Sequence, residues 1–81
     1  MGRDKFVIMR DICRVAGEEC NKTRIVYRAN LNFKIVDKFL DHLLGNGMLA
    51  QQGNRYATTP KGFEYVQDVE ELESFFEREG T

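Results

Sequence analysis

The sequence predicts a small, mainly α-helical domain that carries one β-hairpin, an α+β fold. Three observations indicate this fold. Apolar residues recur every three or four positions in four segments, two short extended segments flank a tight turn, and the chain has only 81 residues. A chain of this length has room for one small domain and none for a second. Its apolar content of 42% is too high for a disordered chain.

The first helix is predicted over residues 4–17. Apolar residues recur at spacings of three and four through this segment, and Gly17 provides a plausible stop. Its charged residues, among them Arg10 and Asp11, fall mostly on the opposite face. Cys13 lies on the apolar face, which is typical of a small core residue.

Two helices joined by a three-residue turn follow. Asn21 is placed to cap a short helix that ends near residue 29, and Asn32 is placed to cap a helix over residues 33–44. Residues 30–32, Asn-Leu-Asn, interrupt the periodicity between them. Two helices joined by so short a turn, with a leucine inside it, have the layout of a helix-turn-helix.

A β-hairpin and a long amphipathic helix complete the chain. Extended segments are predicted over residues 48–51 and 55–58, and Gly53 and Asn54 suit the turn between them because both tolerate positive φ. Thr59 and Pro60 open the last helix as N-cap and first helical residue, and this helix runs to about residue 79. Its apolar residues form a heptad-like seam of Tyr65, Val69, Leu72 and Phe76, widened by Phe63, Val66 and Phe75.

Charge is divided unevenly along the chain. The formal net charge of −1 by itself argues against a nucleic-acid-binding protein, which usually has an excess of basic residues. Residues 1–62 nevertheless hold eleven Lys or Arg and six Asp or Glu, a charge of +5, whereas residues 63–81 hold one Arg and seven acids, a charge of −6. The net charge therefore does not exclude DNA as a partner.

The sequence offers little chemistry for an enzyme or a metal site. It has no GxSxG, Walker A or GxGxxG motif, and His42 is its single histidine. Cys13 and Cys20 lack the CxxC spacing of zinc ligands, and buried thiols of a reduced, intracellular protein are favoured over a disulfide. No apolar run approaches the ~20 residues of a membrane span, and no signal-peptide layout is present. We therefore expect a cytoplasmic protein that is not an enzyme and uses no cofactor or metal.

The order helix, helix, turn, helix, two-stranded wing, terminal helix is that of a winged helix. KTRIVYRANLNFKIVDKFLDHLLGNGML (residues 22–49) and RYATTPKGFEYV (residues 55–66) resemble the archaeal winged-helix family with ten-kilodalton dimeric DNA-binding members. The block over residues 22–31 carries most of this resemblance, and Tyr56, Thr59 and Gly62 form a pattern common to many winged helices. The resemblance implies a winged helix-turn-helix domain over residues 1–62. It also implies a C-terminal acidic helix over residues 63–81 that pairs as an antiparallel coiled coil.

The helix-turn-helix layout suggests which side chains contact DNA. Lys34 and Lys38 are expected to face the major groove, unless they form a solvated face paired with Asp37 and Asp41. Arg55 is expected to enter the minor groove from the tip of the wing, unless the wing is an ordinary polar turn. Basic residues of the second helix would hold phosphates, or else serve only solubility. The predicted DNA-binding residues are Lys22, Arg24, Arg28, Asn32, Lys34, Lys38, Gln52, Asn54 and Arg55.

Three residues, of which Asn32 belongs to this set, have structural interpretations that we favour. Asn32 is expected to act as a helix cap more than as a reader of bases. Phe33 is expected to attach the turn to the core rather than to stack on a base. His42 is expected to be exposed and to have no specific role.

The last helix is too apolar on one side to stand alone in water. A three-helix body with a wing is expected to cover Phe63 and Val66 but not the far turns, so we predict a homodimer. The alternative is a monomer in which this helix folds back on the first helix. The predicted dimerisation residues are Tyr65, Val69, Leu72, Phe75 and Phe76.

Together these features predict a DNA-binding winged-helix protein that binds duplex DNA as a homodimer. Its role would be that of a transcriptional regulator or a small chromatin-type architectural protein associated with the nucleoid. We expect no membrane contact and see no sign of a small-molecule effector. The alternative is a winged-helix module for protein–protein interaction that does not bind DNA, since Asp37 and Asp41 lie on the presumed DNA-facing side.

Overall fold

The computed structural model describes residues 3–79, and the predicted domain limits at residues 1 and 81 lie outside this range. The predicted helices and the hairpin are confirmed, with ends within two residues of the expected ones. In chain order the elements are α1 (Lys5–Val15), β1 (Cys20–Asn21), α2 (Lys22–Arg28), α3 (Phe33–Gly45), β2 (Leu49–Gln52), β3 (Arg55–Thr58) and α4 (Pro60–Glu79).

Asparagine and aspartate side chains define where the first three helices begin. Asp4 caps α1 by accepting a hydrogen bond from the Val7 backbone N–H. Asn21 caps α2 in the same way, and Asn32 caps α3 by accepting from two backbone N–H groups. The predicted caps at Asn21 and Asn32 are therefore confirmed, and each satisfies donors that the helix itself leaves without partners.

The wing is part of a three-stranded antiparallel sheet with the strand order β1-β3-β2. The third strand, β1, was not expected from the sequence. It pairs Cys20 with Tyr56 and Asn21 with Arg55. Because Asn21 both ends β1 and caps α2, this strand fixes the start of the helix-turn-helix relative to the wing.

One hydrophobic core lies between α1, α2, α3 and the sheet. Cys13 is fully buried, as predicted, and burial raises the pKa of its thiol to about 11. Both Cys13 and Cys20 are buried free thiols. The largest fully buried side chains are Ile12, Ile25, Leu40, Leu43, Val36 and Cys13.

A tight junction joins α3, the sheet and α4. The Thr59 hydroxyl donates to the Gly47 carbonyl at 2.6 Å and accepts from the Gly62 N–H at 3.1 Å. Gly62 itself is buried, and a Cβ at this position would lie 2.2 Å from the Met48 carbonyl oxygen. The Thr58 hydroxyl donates to the Cys13 carbonyl at 2.6 Å. These contacts fix the direction in which α4 leaves the wing.

α4 packs along α1 as far as Glu73, and two expectations about this contact were wrong. Arg10 is only 8% exposed instead of lying on the solvent face, because its guanidinium donates to Asp11 and to Glu73 of α4. Burial by itself lowers the pKa of Arg10, but the hydrogen bonds that it donates to Glu73 and Asp11, with the negative charges of these acids, outweigh burial and raise the pKa above its ordinary value. Phe63, expected to be covered, is 49% exposed.

None of the helices described within residues 3–79 combines the length and the apolar character that crossing a membrane requires.

Candidate nucleic-acid interface

The outward side of α3 carries an alternating set of charged residues. Val36, Leu40 and Leu43 are buried on the opposite side of this helix. Spacings of three and four residues place successive exposed side chains along one line. We call this line the α3 stripe, and its members are Lys34, Asp37, Lys38 and Asp41, all exposed.

The first acid of the α3 stripe is paired with α2. The Lys22 ammonium lies 2.7 Å from an Asp37 carboxylate oxygen. This hydrogen bond raises the pKa of Lys22 above its ordinary value. Lys22 and Asp37 therefore largely neutralise each other locally, at the place where α2 approaches α3.

The two lysines of the α3 stripe remain available to a ligand. Among the described side chains, neither Lys34 nor Lys38 has an ion-pair partner, so the pairing with Asp37 and Asp41 considered from the sequence is not formed. Lys38 places its ammonium 5.3 Å from the centre of the Phe39 ring. Both lysines lie on the exposed side of the helix that follows the turn.

α2 adds two further cations to the helix-turn-helix. Arg24 and Arg28 are exposed, and neither forms an ion pair within the part of the chain that the structure describes. Arg28 lies in the last turn of α2, next to the turn that leads into α3. Together with Lys34 and Lys38 they give the two helices of the helix-turn-helix four cationic side chains that have no ion-pair partner among the described residues.

Asn32 acts as a cap in the structure. Its side-chain oxygen accepts from the Lys34 N–H at 2.9 Å and from the Ile35 N–H at 3.0 Å. Its neighbour Phe33, expected to pack the turn onto the core, is 52% exposed, so that expectation was wrong. Phe33 is the first residue of α3, where one side of the helix is already open to solvent.

The wing places its arginine beside the tip rather than at it. Gln52 pairs with Arg55 in the hairpin, so Gly53 and Asn54 form a two-residue turn. Only Gly53 has a positive φ, and Asn54 does not, which is the pattern of a type II′ turn. The Arg55 guanidinium donates to the Glu19 carboxylate at 3.2 Å and to the Glu19 carbonyl at 2.9 Å. The polar side chains at the tip without such a partner are Gln52 and Asn54.

α2 and the wing meet along one open groove of about 350 Å³. Lys22 and Thr23 from α2 line one side of this groove, and Gln51 and Asn54 from the wing line the other. Gln51 donates its side-chain N–H to the Gly53 carbonyl at 3.0 Å, which stiffens the turn. The wing and the start of α2 thus border a single surface.

A second exposed surface lies at the far end of α4. Tyr65 is half-buried and donates its hydroxyl hydrogen to the Phe6 carbonyl of α1, and burial raises the pKa of Tyr65 to about 12. Beyond it Leu72 and Phe76 are 59% and 64% exposed. They border a groove of about 460 Å³ that Phe6 of α1 also lines. We call this surface the α4 apolar face.

Ion pairs tie the acidic helix to α1. Glu73 pairs with Arg10, and Glu70 pairs with Arg14 at 3.4 Å. Sequence analysis missed these pairs, because the partners are more than fifty residues apart in the chain. Acids of α4 therefore balance arginines of α1, not the basic residues of α2 and α3.

The described residues contain no grouping suited to metal binding. Within residues 3–79, no three His, Cys, Asp or Glu side chains converge on one point. Burial is the largest influence on the Cys20 thiol and raises its pKa, although Arg24 and Arg55 act in the opposite direction. Both thiols are therefore protonated near neutral pH, which makes them poor nucleophiles.

Comparison with known proteins shows what the chain is similar to. A family profile described as a winged helix-turn-helix matches residues 2–77. Two uncharacterized proteins of Methanocaldococcus jannaschii are 35% and 31% identical over 71 residues, 86% of this chain. The match spans only 34% of the length of the first and 73% of the second. The crystal structure of Sso10a-2, a DNA-binding protein from Sulfolobus solfataricus, has a TM-score of 0.83 and 32% identity, covering 94% of this chain and 84% of that one.

Proposed function

The chain belongs to the winged helix-turn-helix family, and we propose that it binds duplex DNA as a homodimer. The observation that carries this proposal is the set of four unpaired cations on α2 and α3. The structural similarity to Sso10a-2, described as a DNA-binding protein, supports it. The role is that of a transcriptional regulator or a small chromatin-type protein of the nucleoid.

In the proposed complex α3 enters the major groove and the wing lies beside it. Lys34 and Lys38 reach base edges or phosphates from the α3 stripe. Arg24 and Arg28 hold the backbone and so position the protein without reading sequence. The wing contributes Gln52 and Asn54 directly, and Arg55 if it leaves Glu19 for a phosphate.

A titration with duplex DNA at several salt concentrations tests the binding. About three to five phosphates per protomer correspond to a log–log slope of about −3 to −4.5 per protomer. Lys34→Glu combined with Lys38→Glu should weaken binding at low salt on the order of a hundredfold and reduce the slope by about two. Lys61→Glu, on α4, is the control and should have a smaller effect. Binding that the double variant leaves unchanged would contradict the assigned surface.

The proposed dimer uses the α4 apolar face. Burying a leucine or phenylalanine side chain contributes roughly 1.5–3 kcal/mol, and Leu72, Phe75 and Phe76 are all substantially exposed in one protomer. In this arrangement Glu70 and Glu73 hold α4 against α1, and the exposed apolar side of the same turns pairs with another copy. An antiparallel crossing keeps the many glutamates of the two helices apart.

Sedimentation at the concentrations used for DNA binding tests the dimer. Phe76→Glu should convert it to a monomer, because a charge would be buried in the apolar contact. Ser74→Glu adds the same charge to an exposed position on another side of α4 and should leave the dimer intact. A wild-type protein that sediments as a monomer would contradict the proposed assembly.

The rival function, a protein–protein interaction module, is favoured by one specific observation. Asp37 and Asp41 reduce the formal charge of the α3 stripe to zero, which weakens attraction to phosphates. A module of this kind would show no salt-dependent binding to any duplex. The titration above therefore separates the two functions.

A further inference from the structure

Asp41 lies near the middle of the exposed side of α3. It follows Lys38 by three residues and Lys34 by seven, which places it about one turn beyond Lys38 toward the C-terminal end of the helix, on the side away from the buried Leu43. Among the described side chains Asp41 has no ion-pair partner. The structure thus exposes a carboxylate without an ion-pair partner next to the lysines assigned to the DNA surface.

The other acid of the α3 stripe is in a different situation. Asp37 is held by Lys22 at 2.7 Å, so its charge is balanced within the protein. Removing Asp37 would free a lysine, whereas removing Asp41 would leave no protein group without its partner. Among the described residues the Asp41 side chain forms no hydrogen bond or ion pair of its own, and its charge acts on the protein only through space, by helping Asp37 to raise the pKa of Lys22.

A carboxylate in the major groove discriminates among bases. It only accepts hydrogen bonds, so it is satisfied by the amino groups of cytosine N4 or adenine N6 and repelled by the acceptors of guanine and thymine. Desolvation makes this repulsion costly, because a buried charge without a partner loses its hydration. A base that presents only acceptors is thus rejected more strongly than a base with an amino group is attracted.

Cytosine satisfies a carboxylate better than adenine does. The amino group is the only hydrogen-bonding group that cytosine presents in the major groove. Adenine presents its amino group beside the N7 acceptor, which repels a carboxylate. Lys34 and Lys38, which precede Asp41 on the same face, are suited to the guanine O6 and N7 acceptors or to phosphates.

We propose that Asp41 is a specificity-determining residue whose carboxylate accepts a hydrogen bond from the exocyclic amino group of a base, cytosine N4 in the first place. This inference rests on the proposed function, because it requires α3 in the major groove. A protein with such a residue prefers particular DNA sequences, as a transcriptional regulator does, and does not coat all DNA uniformly.

Selection from a pool of random duplexes, followed by sequencing, tests the inference with the full chain. The wild type should prefer cytosine over guanine or thymine at one position of each bound site by about tenfold. Asp41→Ala should lose this preference and bind the whole pool at least as tightly, because a negative charge has left the DNA surface. Asp41→Asn should shift the preference to adenine, since an amide pairs with both N6 and N7.

Asp68→Ala is the matched control. It removes the same charge from an exposed position of α4, and its selected sequences should equal those of the wild type. A wild-type preference for adenine at the Asp41-dependent position would support the amino-group contact. A wild type that binds the pool without preference, or an Asp41→Ala variant that keeps the wild-type preference, would overturn the role of Asp41. Failure of the wild type to bind any duplex would instead refute the proposed function itself.

Discussion

Replacing Gly62 by alanine should destabilise the protein by about 2 kcal/mol, because the junction of α3, the sheet and α4 has no space for a methyl group. An added Cβ would lie 2.2 Å from the Met48 carbonyl oxygen and 2.6 Å from the Thr58 methyl carbon. Carbon contacts are relaxed only at about 3.5 Å or more. α4 would therefore have to move away from the junction by roughly 1 Å.

The magnitude is the difference between two opposing effects. Alanine gains about 0.5–1 kcal/mol over glycine in a helix, since it restricts the unfolded chain. Overpacking typically costs about 1–3 kcal/mol, and the obstacle here includes backbone, which cannot rotate out of the way. Moving α4 also strains the bond from the Gly62 N–H to Thr59, which contributes about 1 kcal/mol. The cost of overpacking therefore outweighs the gain in helix propensity, and the variant is less stable.

Urea denaturation followed by far-UV circular dichroism measures this difference. Gly45→Ala is the control, because a Cβ there meets nothing within 4 Å and Gly45 is the last residue of α3. That variant should be as stable as the wild type or up to about 1 kcal/mol more stable. If Gly62→Ala were as stable as Gly45→Ala, the close approach of α4 to Met48 would be refuted.

Two further predictions concern stability. Asn32→Ala should lower the free energy of unfolding by about 1 kcal/mol, because two N–H groups of α3 lose their acceptor, and an unchanged urea midpoint would show that Asn32 is not a cap. The free energy of unfolding should also fall as pH rises from about 9 to 11, because burial raises the pKa of Cys13 from 9.0 to about 11 and that of Tyr65 from 10.0 to about 12. Between these pH values Cys13 and Tyr65 keep protons in the folded state that they release in the unfolded state. A urea midpoint that does not decrease with pH would therefore contradict the burial of both groups.

The sequence predicted the elements that are encoded locally. Asn21 and Asn32 mark helix starts through side-chain bonds to residues two or three positions ahead, so each signal lies within one turn. Gly53 likewise marks the hairpin, since the turn requires a positive φ there. The fold class, a winged helix-turn-helix, followed from the order of these local elements and is confirmed by the family match.

Features that depend on partners distant in the chain were not predicted. The strand β1 has two residues, too few to show a period, and exists because Tyr56 and Arg55 lie beside it. Arg10 is buried because Glu73, 63 residues away, reaches its guanidinium. Arg55 turns away from the wing tip because it donates a hydrogen bond to Glu19, 36 residues away in the chain. At the candidate site, sequence alone identified the charged residues but not which of them pair with one another.

Ion pairs within the protein change what the net charge of −1 implies for DNA binding. The acids Glu70 and Glu73 balance arginines of α1, so part of the acidity of α4 is consumed within the α1–α4 contact. The molecule extends 44 Å along its longest axis, several times the Debye length of about 8 Å at physiological ionic strength. Distant charges are therefore screened, and a phosphate at α3 responds mainly to Lys34, Lys38 and Asp41 on that helix. Affinity should follow the cations and selectivity the carboxylate, so the two properties can be separated by substitutions within one helix.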